Sequence, residues 1–323
     1  MRILITGAGG PSAISVWKSL SAEHELHMAD MDPLATGLYL VPAERRLVIP
    51  RGDDPSLIPV LHQACKTRGI ELLLPTVDAE LAPLAEVRDK FESIGSALPI
   101  SPVDCLRTCR DKQLLLDRVK GSVPVPDYEP LTEAVAAKVD SFPRFIKPRL
   151  GAGSRGVAKI GRRADLDALA KDGSLLLQEY LPGEEFSVDV YVRRDGRAIG
   201  AVPRERMKTD SGVAVAARTR QIPELIQSAI KTAETIGVRY VANVQFKRAS
   251  DGVFKLLEVN PRFPGTLPLT IAAGVDMPKL MVDEVAGKPM PEGLLPFKEL
   301  MVVRYWTEQY FDPAQWQALC RQT

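Results

Sequence analysis

Between Ala242 and Phe263 the chain reads ANVQFKRASDGVFKLLEVNPRF, a stretch dense in side chains that can hold a metal ion and a phosphate. Val244 and Phe246 alternate with polar residues, Ser250-Asp251-Gly252 makes a turn, and Val253 to Val259 returns as a second apolar run, so the segment reads as a β-hairpin. Residues two apart in a strand face the same way, which puts Glu258 beside Asn260, and Gln245 can join them on one face of such a hairpin. A carboxylate next to an amide oxygen suits Mg²⁺, a hard ion that prefers oxygen ligands and keeps phosphate oxygens for its remaining positions. Arg262 follows two residues on, where a guanidinium could hold a transferring phosphoryl group. A solvated edge hairpin is the bland alternative. It suffices for Glu258 alone, but E-x-N-x-R after an N-x-Q strand favours chemistry.

A second group of residues points to phosphate. Lys147 stands near the end of an expected strand, Phe142 to Pro148, and Gly151-Ala152-Gly153-Ser154-Arg155-Gly156 follows. No G-K-[ST] occurs here and Val157 to Ile160 continues as a strand, so the glycines cap a hairpin. Such a flap can fold over phosphates and offer backbone amides, which a mere turn would not need three glycines in six to do. Leu175 to Leu181, Pro182-Gly183 and the alternating run Glu184 to Val192 read as strand, turn and strand. A nucleobase could lie against that connector, with Glu179 and Glu185 on either side, suited to an exocyclic amine and ribose hydroxyls. Pro203 to Arg220 reads as a basic loop whose Arg204, Arg206, Lys208, Arg218 and Arg220 either neutralise phosphates or are simply solvated.

The elements that position these residues begin with Arg2 to Thr6, a short strand entering the turn Gly7-Ala8-Gly9-Gly10-Pro11-Ser12, a helix through Leu20, and a strand ending at Asp30. This opens a doubly wound α/β unit. The dinucleotide fingerprint is incomplete, because Ser12 stands where the third glycine belongs, so a structural or substrate-side turn is favoured. Thr76, Asp78 and Glu80 follow the strand Ile70 to Leu74, where they either meet a substrate or cap a helix. Helices over Ala82 to Ile94 and Val103 to Val119, a strand Ala97 to Ile100, and a helix Pro223 to Ile236 stopped by Gly237 are expected. Met277 to Val285 reads as the last good helix, and the aromatic tail after Gly287 is expected to pack back on the body.

With 323 residues, 45% hydrophobic and 26% charged, the chain is of ordinary globular composition and long enough for two domains. A net charge of +1 gives no reason to expect nucleic acid or an anionic membrane surface as a partner. No apolar run reaches transmembrane length, and the N-terminus reads as a strand rather than a signal peptide. Cys65, Cys105, Cys109 and Cys320 make no disulfide framework, so buried structural thiols in a reducing cytoplasm are expected.

Taken in order, Lys112, Lys147, the glycine flap, QEYLPGEEF, NVQF and LEVNPR resemble the ATP-grasp enzymes, in the branch similar to the large subunit of carbamoyl phosphate synthetase. The resemblance implies an α/β chain with a Rossmann-like pre-ATP-grasp domain (1–102), then an ATP-grasp domain of two α+β subdomains clasping ATP (103–290, lid about 121–182), then a tail (291–323). It implies ATP and one or two Mg²⁺ ions, with Mn²⁺ an alternative. Residue by residue it assigns Lys112 and Lys147 to phosphate, and Gly151, Gly153, Ser154 and Gly156 to the lid. Glu179, Tyr180 and Leu181 fall to adenine, Glu185 to ribose, and Gln245, Glu258 and Asn260 to the metal. Asn243 and Arg262 take polar and transition-state contacts. The family often has two acidic metal ligands, and Gln245 departs from that. Thr76, Asp78, Gly9 and Gly10 become candidates for the second substrate, with Arg204, Arg206 and Lys208 on the carboxylate side.

The implied activity is a carboxylate–amine (or carboxylate–thiol) ligase that passes through an acylphosphate, with an amino acid or other small carboxylic acid as substrate. Homodimers are common among such enzymes. Two other readings compete. A nicotinamide-dependent oxidoreductase would use Gly7, Gly9 and Asp30 and leaves E-x-N-P-R unexplained. A non-catalytic nucleotide-binding regulator does not need Lys147, Glu258, Asn260 and Arg262 together.

Overall fold

The computed structural model describes residues 1–151 and 156–321, in three sheets with helices on and between them. In the first sheet, β1 (Arg2–Thr6), β2 (Glu25–Asp30), β3 (Arg46–Val48) and β4 (Leu72–Leu74) run parallel in the order β3-β2-β1-β4. Parallel strands are covered on both faces and need apolar residues on both. Ile3 and Ile5 pack towards α1 (Pro11–Leu20), while Leu4 and Leu73 pack towards α2 (Leu57–Arg68) and α3 (Asp78–Glu86). Beyond α3, Val87 breaks the helix and α4 (Arg88–Glu92) restarts it, so the single helix expected over 82–94 is two. The strand expected at 97–100 reduces to one parallel bridge, Ala97 to Leu72.

The helix expected over 103–119 is also two, α5 (Val103–Arg110) and α6 (Lys112–Val119). Asp111 between them is extended at φ −98°, ψ 106°, and its carboxylate accepts from the Gln113 and Leu114 amides. That N-cap was invisible in a continuous amphipathic pattern, and it sets Lys112 in the first turn of α6. A second, antiparallel sheet follows in the order β5-β8-β6-β7, built from β5 (Tyr128–Thr132), β6 (Arg144–Pro148), β7 (Ala158–Ile160) and β8 (Asp172–Glu179). Helices α7 (Glu133–Lys138) and α8 (Arg163–Asp167) cover it, around Leu131, Ile146, Ile160 and Leu166.

The six-stranded third sheet carries the candidate metal ligands Gln245, Glu258 and Asn260. It contains β9 (Glu185–Val192), β10 (Ala198–Asp210), β11 (Val213–Thr219), β12 (Tyr240–Arg248), β13 (Phe254–Asn260) and β14 (Met301–Val303), in the order β13-β12-β9-β10-β11-β14. Its two faces differ because side chains alternate along each strand. Phe186, Val188, Val190, Val244, Phe246 and Leu256 face one way, against α9 (Pro223–Ile236) and α6. Ser187, Asp189, Asn243 and Gln245 face the other. The segment 203–220, expected as a basic loop, is the hairpin β10–β11, with Arg204 opposite Thr219 and Arg206 opposite Ala217. Charged residues on the inward face hid its period of two, because an apolar face is what marks a half-buried strand in a sequence.

Helices α10 (Leu267–Ala272) and α11 (Met277–Val285) lie against α1, so Leu267, Met277 and Met281 share one core with Ile3, Ala13 and Val16. The first sheet is thus joined to the third by apolar packing. The tail is held along its length: the Leu295 and Lys298 amides donate to the Ile199 and Ala273 carbonyls, β14 pairs with β11, and α12 (Pro313–Cys320) docks near β3, where Phe311 stacks on Tyr39 at 3.7 Å. Phe297 packs against the core as expected, whereas Trp306 is 90% exposed and Tyr305 and Tyr310 nearly as much. Cys65, Cys105 and Cys109 are buried free thiols.

Glu80 is buried beneath the first sheet's carboxyl edge, where it accepts the Thr6 hydroxyl. Burial raises its carboxyl to about 7, aided by the charges of Asp30 and Asp78 and opposed by the Thr6 bond. A carboxyl whose folded value lies above its unfolded one holds a proton in the fold that the unfolded chain gives up, so stability falls as pH rises from about 4.5 to 7. Glu80→Gln is expected to raise Tm at pH 8 and leave it unchanged near pH 4, read by thermal melts at both values. A gain of equal size at both would show that Glu80 is not protonated in the fold.

Candidate active site

The polar face of the third sheet is assembled by register. Asn243 lies opposite Asn260 and Gln245 opposite Glu258 across the β12–β13 hairpin, while β9 sets Ser187 against Gln245 and Asp189 against Asn243. β10 adds Arg204 opposite Ser187. Seven polar side chains from four strands therefore share one surface. The expected E-x-N arrangement is present, with the Asn260 amide donating to Glu258 at 3.1 Å and the Gln245 amide donating to Asn243 at 3.3 Å. Among the described residues no group of three or more His, Cys, Asp or Glu is placed to hold a metal ion. The donor set of one carboxylate and two amides still fits a hard divalent ion that brings a polyphosphate with it.

Asp189 was not singled out from the sequence, and it organises this face. Fully buried, it takes a bidentate ion pair from Arg204 (Nε 2.7 Å, Nη2 2.6 Å), the Asn243 amide at 2.7 Å and the Thr270 hydroxyl at 2.5 Å. Arg204 is only 1% exposed. A charge so buried survives only when paired and fully hydrogen-bonded, and Asp189 is. The signal in the sequence was weak, because Asp189 sits in the otherwise ordinary strand FSVDVYV.

Lys112 and Lys147 approach from the second sheet's side. Lys147 Nζ donates to the Leu257 carbonyl at 3.0 Å, one residue from Glu258, and Lys112 Nζ donates to the Gly151 carbonyl at 2.7 Å. Burial lowers the Lys147 ammonium to about 8; Glu258 opposes the shift and Lys112 adds to it. Arg149 closes the corner with a bidentate pair to Asp111. Gly151 and Gly156 flank the β6–β7 connection, whereas Gly153 and Ser154 lie outside the described residues.

Glu179 ends β8 and its carboxylate is already held, by Lys255 at 2.6 Å and the Asp127 amide at 3.2 Å. Lys255 was missed in the sequence, and it ties β8 to β13. Tyr180 lies under the Lys159 ammonium at 4.5 Å, and Leu181 is buried. Glu185 is ion-paired with Arg206 at 2.7 Å.

Between this face and the first sheet's carboxyl edge is a cavity of about 370 Å³, lined by Gly10, Ser12, Asp78, Arg204, Arg262 and Thr266 among others. Arg262 does not point into free space: its Nε and Nη2 bind both Asp78 oxygens at 2.8 Å. The helix-capping alternative for Asp78 and Thr76 is not what the structure shows, as Val77 begins α3 with no side-chain cap and Thr76 donates to the Thr6 carbonyl. Asp30 accepts from the Gly9 and Asp32 amides and so closes its own turn. Gly7 is there for space: at φ +70° a Cβ would come within 2.6 Å of Val77 and 2.7 Å of Thr76.

Residues 171–309 match a family model described as ATP-grasp in the biosynthetic pathway with Ter operon, and residues 3–98 match the PylC-like N-terminal domain. The chain carries an ATP-grasp domain. The turn at Gly7 therefore belongs to the domain that precedes the grasp, and the α/β class with a Rossmann-like parallel sheet ahead of an ATP-grasp unit holds. Among curated proteins the chain is 28% identical over 216 residues to the carbamoyl phosphate synthase large chain of Thermoanaerobacter sp. (strain X514), covering 59% of this chain and 20% of that one. It thus spans a small part of that relative's length. It is 22% identical over 259 residues to vancomycin B-type resistance protein VanB of Enterococcus faecalis, covering 70% of this chain and 75% of that one. In fold it is similar to N5-carboxyaminoimidazole synthetase from Staphylococcus aureus complexed with ADP, with a TM-score of 0.74 at 16% identity over 93% of this chain and 81% of that one.

In an ATP-grasp domain, Lys147 would meet phosphate, and its lowered ammonium gives a pH signature. Phosphate favours the charged amine, so binding above pH 8 must take up a proton and weakens as pH rises. MgADP affinity, titrated by calorimetry from pH 7 to 9.5, is expected to fall above pH 8. In Lys147→Met it should be weaker throughout and flat over that range. An unchanged slope in Lys147→Met would remove Lys147 from the phosphate site.

Proposed function

We propose that the chain is an ATP- and Mg²⁺-dependent carboxylate–amine ligase. The observation that carries this is the shared face itself, where Glu258 and Asn260 stand between Lys147 of β6 with Lys112 of α6 and the arginines lining the cavity. The substrate carboxylate attacks the γ-phosphorus, forming an acylphosphate and releasing ADP. An amine then attacks the acyl carbon and phosphate leaves, giving the amide.

Phosphoryl transfer asks mainly for positioning and charge neutralisation. Lys112 and Lys147 hold the phosphates, and Arg262 neutralises charge on the transferring group from a position set by Asp78. Glu258, Asn260 and Gln245 hold Mg²⁺, which polarises the phosphate oxygens when bound. Glu179 through Leu181 receive the adenine through backbone groups, since the Glu179 carboxylate is engaged by Lys255. Glu185 remains the ribose residue of this reading, sharing its charge with Arg206. Gly151 and Gly156 take the lid role of this reading, keeping water from the acylphosphate. Arg204 faces the acid substrate. Small-molecule acids and amines are its partners, with neither nucleic acid nor membrane required, in agreement with a net charge of +1. Two of the similar proteins, a carbamoyl phosphate synthase and a carboxyaminoimidazole synthetase, agree in kind.

Hydroxylamine traps an acylphosphate whatever the natural amine is. Protein with MgATP, hydroxylamine and a panel of amino and other carboxylic acids should yield a hydroxamate and stoichiometric ADP with at least one acid. In Glu258→Gln the yield should drop by a factor of roughly 100 or more, as expected when a transition-state charge contact is lost. Nucleotide binding without hydroxamate from any acid would instead favour the regulatory reading.

A further inference from the structure

Two guanidiniums on the polar face have hydrogen-bonding capacity that no protein group uses. Arg204 spends Nε and Nη2 on Asp189, while its Nη1 is buried without a partner. A buried N–H left unpaired is costly and is rare in native folds. The second guanidinium is Arg304, just beyond β14, which the sequence did not single out. Val302 lies opposite Ala217 and Ala217 opposite Arg206, so the alternation puts Arg304 on the face of Arg204 and Arg206. The Arg304 amide donates to the Val215 carbonyl at 2.9 Å, which extends the pairing to that residue. Its side chain is half-buried and makes no hydrogen bond or ion pair among the described residues. Burial and the nearby Arg204 charge both lower its guanidinium. Two like charges have thus been brought together in a partly desolvated place, and only Arg204 has an acid partner among the described residues.

Every acid near the cavity is already committed. Asp78 holds Arg262, Asp30 holds two amides, Asp189 holds Arg204, and Glu185 holds Arg206. Three groups that can donate are left over: Arg204 Nη1, the buried Ser187 hydroxyl, which also has no partner, and Arg304. Across the cavity, the N-terminus of α1 adds to this balance, with Gly10 giving no side-chain cap and no acidic residue in the first turn.

We propose that Arg204, Ser187 and Arg304 form an oxyanion site that seats the carboxylate of the acid substrate. A residue from outside the hairpins of the grasp thereby completes the site. The identity of the anion as the substrate's own carboxylate rests on the ligase reading, whereas the binding of an oxyanion does not. Phosphate released in the reaction has the same chemistry, and the two sources are separable.

Calorimetry on the full chain without nucleotide, with orthophosphate in one arm and acetate, succinate and the hydroxamate-positive acid in the other, tests the site directly. The wild type should bind at least one of these. Arg304→Gln should weaken that binding roughly tenfold or more, the worth of a charge-assisted hydrogen bond, and Arg304→Lys should lose less. MgADP affinity should be the same in all three, which excludes a folding defect. Preference for the carboxylate arm assigns the seat to the acid, and a response to phosphate alone overturns that assignment. Equal anion affinity in wild type and Arg304→Gln, or none in the wild type, overturns the site. A failed hydroxamate assay with intact, Arg304-dependent anion binding would sink the reaction but not the site.

Discussion

A single buried carboxylate, Asp189, aligns the polar face. Its oxygens are shared among Arg204 on β10, Asn243 on β12 and Thr270 on α10, so three elements are referred to one point. A carboxylate with no solvent contact is tolerated only while its partners stay in place; removing one leaves an uncompensated charge at a cost of about 3–5 kcal/mol. That penalty makes the arrangement stiff. Arg204 can neither swing into solvent nor collapse onto a phosphate, and only Nη1 is left to meet a ligand. Asn243 is likewise oriented, and through it Gln245, its neighbour on the metal side. Phosphoryl transfer rewards groups held in place beforehand, so stiffness here serves chemistry as well as folding.

The first domain contributes geometry to the polar face. Asp78, the first residue of α3 beyond its parallel sheet, fixes Arg262 by two equal hydrogen bonds, and its helix α1 packs against α10 and α11 through a common apolar core. The E-x-N-x-R segment is thereby held from both sides, by strand pairing at Glu258 and Asn260 and by the Asp78 carboxylate at Arg262. The two sheets of the grasp meet through ties between strands, Lys147 to the Leu257 carbonyl and Lys255 to Glu179. Each tie puts a cation beside the cleft where a polyphosphate would add negative charge. The lowered Lys147 ammonium shows the cost of keeping that cation buried before a nucleotide arrives.

Legibility in the sequence followed the apolar pattern. The β12–β13 hairpin could be read because Val244, Phe246, Leu256 and Val259 mark its buried face, and the opposite face then had to carry Gln245, Glu258 and Asn260. The β10–β11 hairpin could not, because Arg204 and Arg206 turn inward and are neutralised by residues distant in sequence, Asp189 and Glu185. Asp189 was hidden for the same reason: its value lies in three partners that no local window contains. Arg304 depends on a strand pairing of three residues, β11 with β14, too short to leave a pattern. In the tail, aromatic content suggested burial, but Trp306 and Tyr305 are free of the core and only Phe311 finds a ring to stack on. The helix break at Asp111 was likewise masked, since an N-cap inside an amphipathic run changes no apolar position.

A crystal structure of the chain with MgADP tests the central claim most directly, because two nucleotide sites compete in this fold. The account places the phosphates between Lys112 and Lys147, the metal on Glu258 and Asn260, and the adenine against the backbone of Glu179 to Leu181. A nucleotide seated instead on the turn from Gly7 to Ser12, with its ribose near Asp30, would contradict it.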